Sequence, residues 1–193
     1  MTRRMLSTIG VLVTLAAYSL PLAAQGTAQA LVPSPAPAPG PVLVFETVKG
    51  TFEIETYPTV APKTVAHVVD LVRKGFYDGL RIHRRDENFI VQFGDPQTRD
   101  MARKPDWGRS DNGTPIGVSE ISKALKQSPG MVSIGHRGDA AKGDSHIFIV
   151  VGPASHIDGK YAIFGRVAVG LDVVRRLEVD DRILRATVRA EGD

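Results

Sequence analysis

Cysteine is absent from the 193 residues, which excludes disulfides, thiolate zinc sites and cysteine nucleophiles together. An excess of one charge sign is also missing. Lys and Arg number 24 against 21 Asp and Glu, and setting aside Arg3 and Arg4 as part of a removable leader leaves 22 basic residues. So even a balance gives no reason to expect nucleic acid as a partner. The cluster Arg81, Arg84 and Arg85 is too small an electrostatic footprint to change that. Hydrophobic residues make up 42% and charged residues 23%, ordinary for a globular chain. A domain of about 150 residues can hold together by packing alone.

Only one long apolar run occurs, and it lies at the N-terminus. Arg3-Arg4 precede a largely apolar stretch from Met5 to Leu22, and small residues follow at Leu22-Ala23-Ala24 and Ala28-Gln29-Ala30. This three-part pattern predicts a secretory signal peptide over residues 1–30, cleaved after Ala24 or Ala30. The rival reading, an uncleaved anchor, is weakened because the run is near the lower limit for spanning a bilayer and Pro21 interrupts its end. The expected location is the periplasm or the outside of the cell, with no stable membrane insertion after cleavage. Residues 31–41 alternate proline with small residues, from Val32-Pro33 to Gly40-Pro41. Alternate prolines block helix and ladder alike and favour an extended spacer. The folded domain is expected over residues 42–193.

Within it, Val42–Glu46 and Thr51–Glu55 flank a Lys49-Gly50 turn and predict a hairpin. Val65, Val68, Val69 and Val72 recur at helical spacing behind Pro62, predicting a helix to Lys74 that Gly75 ends. Further strands are predicted at 80–84, 89–93, 131–134, 146–151, 161–167 and 183–189. A second short helix is predicted around Leu171, Val174 and Leu177. The long polar stretch from Gly94 to about Gln127 is expected to be a loop with a helical piece near 119–125. About eight strands with two widely separated helices predict an all-β-dominated fold, an antiparallel barrel or sandwich with helices over its openings.

The stretch Ile82-His83-Arg84-Arg85-Asp86-Glu87-Asn88-Phe89-Ile90-Val91-Gln92-Phe93-Gly94-Asp95 resembles the signature of the cyclophilins. Gly130–Ile134, Ser145–Ile149 and Ile157–Val167 are similar to later blocks of that family in the same order. The resemblance runs from about Val42 to the C-terminus. It implies a closed eight-stranded antiparallel barrel capped by two helices, peptidyl-prolyl cis/trans isomerase activity on proline-containing unfolded or partly folded polypeptides, and no cofactor or metal. A monomer is expected.

That chemistry breaks no bond. Rotation about a peptide bond costs about 18–20 kcal/mol because the nitrogen lone pair is delocalised, and X–Pro exchange takes on the order of tens to hundreds of seconds. At the twisted state the lone pair returns to nitrogen, where a cationic donor stabilises it more than in the planar imide. Arg84, permanently charged and forked, suits this role. A charge-assisted hydrogen bond contributes about 1.5–3 kcal/mol, whereas a 10⁵-fold gain needs about 7. The remainder must come from gripping the proline ring away from water. By resemblance, Gln92 assists Arg84, and the substrate lies against Phe89, Ile90, Gly135, His136, His146, Phe148, Ile157 and Tyr161. Strand alternation puts Ile90 and Gln92 on one face and Phe89 on the other, so Phe89 joins them only from a strand edge or bulge.

Several positions depart from the family pattern. His146 stands where Gln is usual, His136 where Asn is common, Arg137 where a small residue is common, His156 where Trp or Phe favours cyclosporin, and Tyr161 where His is common. Weak cyclosporin inhibition and a groove crowded by Arg137 are expected. Three other readings are weighed. A metal site from His83, His136, His146 and His156 lacks the short spacing of a zinc motif. Gly143-Asp144-Ser145 resembles a trypsin-type serine block but lacks its companions. A non-catalytic proline-peptide binding module or chaperone on the same fold is the strongest rival.

Overall fold

The computed structural model describes residues 37–189; the expected signal peptide, both cleavage points and most of the linker lie outside them. The described residues form β1 (Val42–Thr47), β2 (Gly50–Thr56), α1 (Pro62–Arg73), β3 (Arg84–Asp86), β4 (Ile90–Phe93), β5 (Met131–Ile134), β6 (Ile147–Val150), β7 (Ile163–Val169), α2 (Leu171–Arg176) and β8 (Ile183–Arg189). All ladders are antiparallel, in the order β3-β4-β6-β5-β7-β2-β1-β8. The expected eight strands and two helices are present. The ladder itself is a half-barrel whose ends are β3 and β8, not the closed barrel that the resemblance implies, because β3 and β8 do not pair and the bridge between them is made by the segments preceding them. Between those ends Arg81 bridges Arg182, and Ile82 N–H and Ile183 N–H donate to the carbonyls of Asp181 (2.9 Å) and Leu80 (2.8 Å). The strand expected at 80–84 is therefore mostly this bridge, and β3 proper begins at Arg84.

Alternation along the strands creates two apolar layers. Leu43 and Phe45 of β1, Phe52 and Ile54 of β2, Val91 and Phe93 of β4, and Ile147 and Ile149 of β6 share the main core with the valines of α1. Phe45 and Phe52 stack at 5.1 Å between centroids, and Phe93 meets Phe45 edge-on at 5.3 Å, geometries favoured by the ring quadrupole. The alternate residues Ile90, Phe148 and Val150 point the other way and form a second cluster with Ala154. β6 is therefore buried on both faces.

The helix expected near 119–125 does not form. Glu120 instead reaches the start of α1, where its carboxylate accepts from Lys63 N–H (3.0 Å), Thr64 N–H (2.8 Å) and the Thr64 hydroxyl (2.8 Å). The residue before Pro62 is Ala61, which has no side chain that can cap. A carboxylate from a distant loop supplies what a local Ser or Asp would have supplied. Residues 119–125 are irregular, with the Ala124 N–H turned back to Ser122 Oγ at 3.3 Å.

The long loop is pinned by two buried carboxylates. Asp95 accepts from Gln97 N–H (2.7 Å) through one oxygen and from Gly108, Arg109 and Ser110 N–H (2.6, 3.0 and 3.2 Å) through the other. Asp144 accepts from Gly113 and Thr114 N–H at 2.8 and 2.9 Å. Just ahead of Asp95 the chain passes against the backbone of Ser145, which only glycine permits: the φ of Gly94 is +115°, and a Cβ there would lie 2.0 Å from the Ser145 carbonyl oxygen. Unpairing a buried donor costs about 1–3 kcal/mol. Asp95→Ala is expected to lose on the order of 3 kcal/mol of unfolding free energy, read as a lowered denaturant midpoint, with faster amide exchange at 108–110.

Candidate active site

β3 and β4 are joined by a tight turn in which Phe89 N–H donates to the Asp86 carbonyl at 3.1 Å and Asn88 takes a φ of +56°. That left-handed residue breaks the alternation. Phe89 therefore sits ahead of β4 rather than in it and joins Ile90 on the outer face. The ladder register sets Arg84 opposite Gln92, Gln92 opposite Phe148, and Phe148 opposite Ser133. One row across the wall thus runs from a guanidinium through an amide to an apolar ring.

Beside this row lies a cavity of about 240 Å³. Phe89, Ile90, Phe148, Ile157 and Tyr161 form its apolar lining, and Arg84, Gln92, Gly135 and His136 its polar rim. Phe148 and Tyr161 meet edge-on at 5.0 Å, and His136 lies over Tyr161 at 4.6 Å. His136 Nε2 is 2.9 Å from the Lys160 carbonyl, so that nitrogen carries the hydrogen. His156 closes one wall by lying on Phe89 at 4.8 Å.

A second cavity, of about 540 Å³, adjoins the first and shares Arg84, Gln92, Gly135 and His136 with it. It is lined further by His83, Trp107, Asp111, Arg137, Lys142 and His146, most of them charged or polar side chains. Of the residues expected to touch substrate, His146 is the one that lines this cavity and not the apolar one. Arg137 does not crowd the apolar hollow. It is drawn to the long loop, donating to Asp111 Oδ2 (2.7 Å) and the Gly108 carbonyl (3.1 Å).

Arg84 is half-exposed. It pairs through Nη2 with Asp86 and lies with Nη1 3.5 Å from Gln92 Oε1. Asp86 is a participant that motif reading misses. The signal was available, since residues two apart in a strand share a face, and Asp86 follows Arg84 by two.

The rival chemistries do not assemble. His83 and His146 lie ring against ring at 4.9 Å, while His136 and His156 rest on Tyr161 and Phe89. Among the described residues no group of three or more His, Asp or Glu is placed to hold a metal. The Ser145 hydroxyl donates to the Gly94 carbonyl (2.8 Å) and accepts from Asn112 N–H (3.1 Å), so it is a buried structural link and no nucleophile.

Comparison with known proteins follows the same line. The family model described as cyclophilin type peptidyl-prolyl cis-trans isomerase/CLD matches residues 42–189. The chain is 36% identical over 138 residues to the peptidyl-prolyl cis-trans isomerase CYP18-2 of Arabidopsis thaliana, covering 71% of this chain and 80% of that one. It is 34% identical over 163 residues to the peptidyl-prolyl cis-trans isomerase-like 1 of Aspergillus fumigatus, covering 78% and 97%. A crystal structure of a cyclophilin type peptidyl-prolyl cis-trans isomerase from Cryptosporidium parvum superposes with a TM-score of 0.68 at 20% identity, covering 79% of this chain and 99% of that one. The same protein has been solved in the presence of the dipeptide Ala-Pro, and that structure superposes at 0.66 over 78% and 99% at 20% identity. At such identity the two solved structures speak for the fold.

Behind the site, burial pushes the His83 imidazole down to about 3, with His146, Arg84 and Arg137 acting in the same direction and Asp95 against them. The folded protein keeps this ring neutral while the unfolded chain takes up a proton near pH 6.5. Stability is therefore lost as pH falls from about 6.5 towards 3 and is unaffected above that window. Between pH 7 and 4.5, wild type is expected to lose roughly 2–3 kcal/mol more than His83→Gln, measured by urea unfolding at each pH.

Proposed function

Because the chain belongs to the cyclophilin-type peptidyl-prolyl cis-trans isomerases, we propose that it speeds X–Pro isomerisation in polypeptides that have been exported, acting as a monomer in the periplasm or outside the cell. The observation that carries the site assignment is the setting of Arg84, at the rim of an apolar hollow made by Phe89, Ile90, Phe148, Ile157 and Tyr161. The ring of a proline fits such a hollow by shape and polarity, and a guanidinium beside it meets the imide nitrogen. The Ala-Pro dipeptide used with the solved relative supports a proline peptide as the ligand. The leader pattern of Arg3-Arg4 followed by an apolar run supports export.

In this mechanism the hollow grips the proline ring while the preceding carbonyl swings. As the bond twists, the nitrogen becomes pyramidal and regains its lone pair, and an Arg84 N–H donates to it. Gln92 steadies the guanidinium through Nη1, and Asp86 steadies it through Nη2. Two of the five guanidinium donors are thus committed to orientation, and three are left for substrate. Apolar walls keep out water, whose dipoles favour the planar, more polar ground state.

Arg84→Ala is expected to lower kcat/KM for a proline tetrapeptide by roughly 10- to 100-fold with the hollow still binding peptide. A wild type that binds without accelerating exchange would favour the non-catalytic binding module. The mass of the mature protein recovered after export tests the leader, with new N-termini expected at Gln25 or Leu31.

Cyclosporin is expected to inhibit weakly, in the micromolar range or above. His156 offers a smaller, more polar wall than the Trp or Phe of sensitive relatives. An inhibition titration showing nanomolar potency would contradict this.

A further inference from the structure

We infer that His146 is a positioning residue for Arg84, acting through the side-chain amide of Gln92, and that a second proton on its ring uncouples the arginine. The inference rests on the proposed role of Arg84 and adds a regulator to that site.

His146 is buried immediately ahead of β6, with 6% of its surface exposed. Its Nε2 lies 2.8 Å from the Ser110 carbonyl oxygen and 3.4 Å from Asp111 Oδ1. Both partners accept only, so Nε2 carries the hydrogen. In the neutral ring Nδ1 is then a bare lone pair. Gln92 Nε2 stands 3.5 Å from that nitrogen and donates to it. This orientation leaves Gln92 Oε1 to face Arg84 Nη1, also at 3.5 Å. The tautomer of His146 thus decides which end of the Gln92 amide meets the guanidinium.

Nothing intervenes between the two side chains. Gly135 passes beside them with its N–H bonded to the His146 carbonyl at 2.7 Å. A Cβ at Gly135 would lie 3.1 Å from Gln92 Nε2 and 3.2 Å from His146 Cβ. The absence of a side chain at 135 is what lets the amide and the imidazole meet.

Protonating Nδ1 changes the pattern of donors. The new N–H would face the Gln92 NH₂ group, donor against donor, and the amide relieves this by turning over. Its oxygen then serves His146, and its NH₂ faces the Arg84 guanidinium, again donor against donor. The link to Arg84 is lost, and only Asp86 holds the guanidinium. Both amide contacts are long, so one proton is enough to separate them. A glutamine at 146 could satisfy Gln92 in either orientation and would carry no charge.

The charged and titratable neighbours come from every element packed on this ring. From the loop, Asp111 lies against Nε2, and Asp95 accepts the N–H of Ser110. From the segment before β3, His83 lies ring against ring and stays neutral, its pKa pushed down to about 3. Arg84 stands beyond Gln92, while Arg137, Lys142 and His136 line the same cavity. Asp111 is itself shared with Arg137 at 2.7 Å.

The test uses the full chain as wild type, His146→Gln and His146→Ala. Isomerisation of a proline tetrapeptide is followed by NMR exchange from pH 8 to 5, and the Gln92 side-chain amide is followed in ¹⁵N spectra of the same samples. Wild type is expected to lose about 3- to 10-fold in kcat, with KM little changed, as pH falls. Its Gln92 amide resonances should move with the same midpoint as the His146 ring. In His146→Gln both the kcat profile and the resonances should be flat, and in His146→Ala kcat should be low at every pH. An acid loss equal in wild type and His146→Gln, or a Gln92 amide that stays still while the His146 ring titrates, would overturn the inference. Should no variant accelerate exchange, the isomerase reading fails, and the Gln92 resonances decide the coupling on their own.

Discussion

The constraint that organises this protein is a strand, β6, that must be apolar on both faces. Ile147 and Ile149 belong to the core inside the sheet, and Phe148 and Val150 to the cluster outside it. Period-two alternation in the neighbouring β4 then separates Val91 and Phe93 from Ile90 and Gln92. The inner layer holds the wall rigid by close packing, and the outer layer uses that rigidity to present a hollow. A site built on strands packed from both sides keeps its side chains in place without relying on loop order. Arg84 stands on β3, a terminal strand of the same ladder, with its side chain half-exposed.

The long loop between β4 and β5 would be an anomaly in so small a domain if it were structureless. Two buried carboxylates account for it. Asp95 and Asp144 gather backbone N–H groups from widely spaced points, and Glu120 spends its own carboxylate on the start of α1. Each does in tertiary space what a cap or a ladder does locally: it satisfies backbone donors that burial would otherwise leave unpaired. Because Asp95 fixes Ser110, whose carbonyl holds the His146 ring, the loop also sets the chemistry at the site's edge.

The pairing of Arg84 with Asp86 sets orientation more than stability. With side chains 48% and 40% exposed, an isolated pair of this kind is worth about 0–1 kcal/mol. Its consequence is geometric, because one end of the fork is turned to Asp86 and the other to Gln92.

Much of this was legible in the chain itself. Valines at 65, 68, 69 and 72 specify a buried helix face, and alternating runs specify the strands. Parity in the strand sets Ile90 and Gln92 on one face, and the resemblance to the cyclophilin signature, not parity, is what joins Arg84 and Phe89 to them. Three features depended on contacts made after folding. Phe89 reaches the hollow because Asn88 takes a positive φ in a turn closed by Asp86. Residues 119–125 give up a helix because Glu120 is needed 56 residues away, at Thr64. His146 leaves the apolar hollow for the polar cavity because Ser110 and Asp111 claim one of its nitrogens. Local pattern fixes which residues can face together, since that is a matter of helical and strand period. Which polar atom pairs with which is decided only when distant segments arrive, since a hydrogen bond needs both partners within about 3 Å.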